Sequence, residues 1–155
     1  MSEDDAIETP ESEDMNACPD WLLRLLVNMV TTAEGLTIPI TLHMGGLIVS
    51  GQLVSGKLYL EEFGGQFANE FLCPLPADQR AKLLARIRDT ASRIYDQGKE
   101  TRRVPTYIHL RDATFMTVTG QTAQTNRSLW WRGRLSRVDG FWFGVISTPS
   151  TQSGR

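Results

Sequence analysis

From residue 36 to 44 apolar and polar positions alternate without a break. Leu36, Ile38, Ile40, Leu42 and Met44 fall on one side, and Thr37, Pro39, Thr41 and His43 on the other. A period of two is the signature of a strand with one buried face. Pro39 has no N–H for a ladder, which puts this strand at an edge or leaves that outward position free. Gly45-Gly46 makes a turn, and residues 47–54 read as the return strand, bent at Gly51. Ser55-Gly56 is the next break. Residues 57–63 read as a third short strand, and 66–76 as a less regular region. Residues 107–116 form a longer strand, followed by a polar loop over 117–126. Then Trp131, Gly133 and Leu135 oppose Trp130, Arg132, Arg134 and Ser136. Asp139-Gly140 suits a tight two-residue turn, which predicts a hairpin. Its second arm, 141–146, is apolar on both faces, so it belongs at the centre of the sheet or against an interface. Gly133 and Gly144 mark bends.

Two stretches follow the helical period instead. Residues 19–32 open with Pro19, which suits a first turn, and Asp20, whose charge complements the helix dipole. Trp21, Leu22, Leu25, Leu26 and Met29 form one broad apolar face, with Leu23, Val27 and Val30 beside it. That coat is wider than one core-facing stripe needs, so the helix covers an open barrel end or lies between the barrel and a second subunit. Residues 77–97 carry the stripe Leu83, Leu84, Ile87, Ala91 and Ile94. Arg80, Lys82, Arg86, Arg88 and Arg93 lie mostly outside it, as a solvated face or a dock for an acidic partner. Helix, glycine-bent strands, inserted helix, long strand and hairpin predict an α+β, mostly β, chain. The expected fold is an Sm-like or similar small, strongly bent antiparallel β-barrel spanning 18–148, with an N-terminal helix and a helical insert near 77–97. Residues 149–155, rich in Ser and Thr, read as frayed.

Charge divides the chain. Residues 1–20 hold eight of the 18 acidic side chains and no Lys or Arg, so residues 21–155 hold all 16 basic groups against ten acidic ones. Residues 1–17 have too few apolar groups to offset the entropy of ordering and read as a disordered acidic tail. The tail solvates the chain, competes with an acidic partner for the basic body, or links one copy to the next. No apolar run approaches the ~18 residues of a membrane span, and the acidic start resembles neither a secretory signal nor a mitochondrial presequence. Cys18 and Cys73 form no disulfide framework, so a reducing cytoplasm is expected.

Candidate chemistry is sparse. His43 and His109 both fall at outward strand positions. Gly45-Gly46 and Gly64-Gly65 lack the Lys and Ser/Thr of a phosphate loop. Two histidines and two scattered cysteines make no zinc site. No cofactor, metal or catalytic residue is assigned. Trp130, Trp131, Arg132, Arg134, Arg137 and Trp142 remain as the candidate interaction face. Arginine and tryptophan are enriched at protein–protein hot spots, and interleaved they can also stack on bases and reach phosphates. The alternative is that the tryptophans fill the core or a subunit interface while the arginines are solvated.

In the order DWLLRLLV, ITLHMGGLIVSGQLVSGKLYLEEFGGQFA, YIHLRDATFM and LWWRGRLSRVDGFWFGVIS, residues 20–147 resemble the gas vesicle accessory protein U family. The resemblance implies a cytoplasmic, non-enzymatic accessory protein that acts in vesicle clustering or assembly and not in the shell wall. Its expected partners are the gas vesicle shell or other gas vesicle proteins, and further copies of itself as a homo-oligomer. The alternative is an RNA-binding Sm-like module, against which the overall acidity weighs.

Overall fold

The computed structural model describes residues 19–96, 104–123 and 128–146. Strands β1 (Ile38–Met44) and β2 (Leu47–Val54) form a hairpin through Gly45-Gly46. Both turn glycines have positive φ, +55° and +88°, as a two-residue turn matched to strand twist requires. β3 (Tyr107–Thr117) pairs antiparallel with β2, and the register slips between Ser50 and Gln52. The slip is built on Gly51, where a Cβ would lie 2.8 Å from the Arg111 carbonyl oxygen. The bend expected at this glycine is therefore a bulge. β4 (Thr122–Ala123) and β5 (Trp131–Arg134) pair with opposite ends of β3, and β6 (Gly140–Phe143) pairs with the free side of β1.

Helix α1 (Trp21–Thr32) covers one face of this sheet. Asp20 caps it, its carboxylate accepting from the Leu22 and Leu23 N–H groups at 2.8 and 3.0 Å. Leu23, Leu26, Val27 and Val30 are buried in one cluster with Ile40, Leu42, Val49, Leu53, Ile108 and Leu110. This is not the stripe expected to lead. Trp21 is 70 % exposed, and Leu25 and Met29 are exposed with it. Both stripes are apolar, so periodicity could not choose between them.

Helices α2 (Gly56–Glu70) and α3 (Ala77–Asp96) form the insert. The strand expected over 57–63 does not form. Ser55 caps α2, its hydroxyl accepting from the Leu58 N–H at 3.1 Å. Tyr59, Phe63, Phe67 and Phe71 then stack at four-residue spacing, with centroids 5.3, 5.8 and 5.5 Å apart. Gly64 does not break the helix. It is a contact point with α3, where a Cβ would meet the Ile87 side chain at 3.1 Å. The irregular region shrinks to the connection between α2 and α3. α3 agrees with the expected insert helix.

The expected hairpin at Asp139-Gly140 is also absent. β1 and β3 are both antiparallel to β2, so β5 on β3 and β6 on β1 run parallel to each other. Parallel neighbours need a crossover of a dozen or more residues, and residues 135–139 are too few. A 3₁₀ turn (Leu135–Arg137) instead hands the chain from one edge of the sheet to the other. The Leu135 N–H donates to the Thr106 carbonyl, extending the β5 ladder, and four residues later the Asp139 N–H donates to the His43 carbonyl beside β6. The sheet therefore curls strongly, yet β5 and β6 do not pair and the barrel is not closed. β6 is an edge strand and not a central one.

On the other face, two residues that alternation points outward are nevertheless covered. Thr41 is buried, its Oγ1 in a hydrogen bond with Ser50 Oγ at 2.9 Å and donating to the Gly144 carbonyl at 2.7 Å. Pro39, opposite Gly144, has no N–H to offer that carbonyl, and the threonine hydroxyl supplies the donor. The Ile146 N–H completes the set by donating to Ser50 Oγ at 2.7 Å. His109, 3 % exposed, is the second.

Candidate interaction surface

The six candidate interaction residues do not form one face. Trp131 lies opposite Leu110 and packs on the core. Its indole occupies the space over Gly133, where a Cβ would approach it to 2.2 Å. Trp130 packs edge-on against Tyr59, with centroids 5.8 Å apart. These two tryptophans fill structure. Arg132 and Arg134 are exposed on β5, and Arg137 is exposed in the 3₁₀ turn. Trp142 is exposed on β6, at the opposite edge of the sheet.

Arg132 joins the surface to an aromatic cluster. Its guanidinium lies 3.7 Å from the Tyr107 ring centroid, a cation–π geometry. Beneath it, His109 sits 4.7 Å from Tyr59 and 6.4 Å from Tyr95, centroid to centroid. Burial, reinforced by the Arg132 charge, holds the His109 imidazole down to about 3. Burial pushes the Tyr59 and Tyr95 phenols up, and Arg132 opposes it. His109 is thus a neutral ring in an aromatic box, and among the described residues its Nε2 has no hydrogen-bond partner. A cavity of about 320 Å³ adjoins this cluster, walled by Arg132, Tyr107, Tyr95 and Thr106 with Asn28 and Thr31 of α1. His43 lies apart, its Nδ1 3.8 Å from Asp139 Oδ2. Among the described residues no group of three or more His, Cys, Asp or Glu side chains could hold a metal ion. No helix among them is long and apolar enough to cross a membrane.

Two exposed apolar surfaces stand apart from the arginines, and the sequence pointed to each, through the over-wide apolar coat of the first helix and the apolar arm 141–146, without fixing which residues are exposed. One is the outer stripe of α1, Trp21, Leu25 and Met29. The other surrounds Trp142: Phe143 is 58 % and Val145 45 % exposed. The spacing of four in the first was a readable signal. The second depended on knowing that β6 ends the sheet. The acidic segment 1–17 and the C-terminal stretch 149–155 lie outside the described residues.

A sequence model of the gas vesicle protein GvpU-like family matches residues 20–146. No curated protein and no solved structure matches the chain.

Proposed function

Because the chain belongs to the gas vesicle protein GvpU-like family and is thus gas vesicle-associated, we propose that it is a non-enzymatic accessory protein that binds the vesicles and, by self-association, promotes or tunes their clustering. The observation that carries this reading is the separation of two exposed surfaces of different chemistry. Arg132, Arg134 and Arg137 form a cationic row on and after β5, while Trp142, Phe143 and Val145 expose apolar side chains on and just after β6, at the far edge. One surface serves the vesicle or its other proteins, and the other serves a further copy. The curled sheet under an N-terminal helix, with its two edges joined by one short link, supports reading the fold as an Sm-like barrel left open between β5 and β6 and enlarged by the α2–α3 insert. The acidic segment 1–17 is assigned a modulating role, through its attraction to the basic row, which salt would weaken.

Flotation tests the reading. Purified protein is mixed with isolated, nuclease-treated vesicles, and the buoyant layer is assayed. The wild-type chain rises with the vesicles, less so at high salt, and the double variant Arg132→Glu, Arg134→Glu stays behind while keeping its circular dichroism spectrum. A folded double variant that floats as well as wild type rules out the cationic row.

A further inference from the structure

The open edge of β6 is self-complementary, and we propose that two copies of this chain join through it in an antiparallel, two-fold pair centred on Trp142. Ladder parity gives the geometry. The Gly144 N–H donates to the Pro39 carbonyl at 2.9 Å, and Trp142 lies opposite Thr41. In an antiparallel pair, hydrogen-bonded and non-bonded positions alternate. Gly140, Trp142 and Gly144 therefore direct their backbone groups at β1, while Phe141 and Phe143 direct theirs away from the sheet. Among the described residues nothing pairs with these outward groups. Two copies related by a two-fold axis at Trp142 would set Phe141 of each against Phe143 of the other, making four backbone hydrogen bonds. The faces agree as well. Phe141 and Phe143 lie opposite Leu42 and Ile40 on the α1 side, so the four phenylalanines would share one face and the two Trp142 side chains would meet on the other.

Side-chain chemistry selects a second copy as the partner. Residues 140–143 read Gly-Phe-Trp-Phe, with none of the charges or prolines that protect a solvent-facing edge. The other open edge, β5, carries Arg132 and Arg134 at its outward positions. A β6–β6 pair sets apolar against apolar, whereas at β5 the Arg132 guanidinium is already held over the Tyr107 ring of its own chain, and a β6–β5 contact would be heterologous, building rings or open chains. As far as residue 146, the last described after β6, the chain also leaves the edge clear. Gly144, with φ +106°, turns it across β1 toward Ser50, where the Ile146 N–H is held.

The contact is small. Trp142, Phe143 and Val145 are 44, 58 and 45 % exposed, which amounts to roughly 300 Å² per copy, given ~150–250 Å² for a whole aromatic side chain. A standard interface buries about 800 Å² per partner. The pair is thus weak and concentration-dependent. It deepens the self-association half of the proposed function and stands independently of vesicle attachment, because it is tested without vesicles.

Cross-linking reads the register. In a full-length chain with Cys18→Ser and Cys73→Ser, Trp142→Cys places two thiols at a non-hydrogen-bonded pair, about 4.5 Å apart at Cα, within disulfide reach. Phe143→Cys places them about 8 Å apart, beyond it. Mild oxidation should yield covalent dimer from the first variant and at least about tenfold less from the second, a margin set by that geometry. Sedimentation of the untagged wild type should show a monomer–dimer equilibrium that Phe143→Lys weakens about tenfold or more. Cross-linking at 143 in preference to 142, or equally at both, overturns the register. A wild-type chain that is monomeric at every concentration reached, or that forms rings or open chains, overturns the pair. Self-association that appears only after residues 147–155 are removed assigns the edge to the chain's own C-terminus and overturns it too.

Discussion

Stability against pH is the sharpest test of the aromatic box. His109 is neutral in the folded chain, held down to about 3 by burial and by Arg132, whereas in the unfolded chain an imidazole titrates near ~6.5. The groups facing it are the Arg132 guanidinium and the Tyr59 and Tyr95 phenols, which burial raises and so keeps neutral in this range. The folded value is depressed, so the unfolded state binds the extra proton. Stability from this source is complete above pH ~6.5 and falls as pH drops, by about 1.4 kcal/mol per unit, until the folded ring itself protonates near pH 3. At pH ~5 the loss is about 2 kcal/mol, a large fraction of a typical ~5–15 kcal/mol. Replacing His109 by Phe keeps a ring against Tyr59 and removes the titration. Urea unfolding of wild type and His109→Phe at about pH 7, 6 and 5 should give a difference that shifts in favour of the variant by about 2 kcal/mol at the acid end. Parallel curves, or an NMR titration that puts His109 near ~6.5, would refute the buried neutral ring.

Two further substitutions probe the packing. Gly51→Ala drives a Cβ to 2.8 Å from the Arg111 oxygen and 3.3 Å from the Ala113 Cα, both backbone atoms that cannot swing aside. It should cost about 1–3 kcal/mol in urea unfolding, and a neutral result would place the bulge elsewhere. Tyr59→Ala removes a 7 % exposed ring that touches Phe63, His109 and Trp130. It should cost about 3–5 kcal/mol and should raise the His109 titration toward its ordinary value, since the desolvating wall is gone.

Much of the sheet was legible because period two is unambiguous where one face is buried. β1, β2 and β3 lie where alternation put them, and Gly45-Gly46 turns as its two flexible positions demand. α2 was not legible as a helix because its interior Gly64-Gly65 reads as a break. The signal against that was the run Tyr59, Phe63, Phe67 and Phe71 at helical spacing, with Ser55 ahead of it as a cap. Asp139-Gly140 misled for a different reason. Its turn chemistry is local, but whether two strands can pair depends on the direction of β1 and β3, which local sequence does not encode. The same limit explains the scattered Trp and Arg set. Trp131 alternates to the core side, whereas Trp130 shares its side with Arg132 and Arg134 and is covered only because Tyr59 of α2 packs on it, which leaves the arginines at the surface. His109 looked outward because alternation reports the face and not what covers it. Here α2 and α3 supply the cover.

The two proposals constrain each other through symmetry. An isologous β6 contact uses the same patch on both copies and closes at a dimer, so by itself it builds no network. Clustering then requires the other surface of each copy to face a vesicle. A two-fold pair carries two cationic rows, and each can engage a different vesicle. A contact of roughly 300 Å² per copy is too small to hold two vesicles alone. Many such pairs across one vesicle–vesicle gap act together, because after the first bridge forms the next is closed at a high effective concentration. Bridging of this kind has a distinctive dose response. Clustering should rise with protein, pass through a maximum, and fall once every vesicle is coated and few free sites face another. Light scattering of vesicles titrated with wild-type protein should show that maximum, and Phe143→Lys should abolish clustering while preserving flotation. A variant that neither floats nor clusters would mean that the β6 edge touches the vesicle itself, and the division of labour between the two surfaces would be wrong.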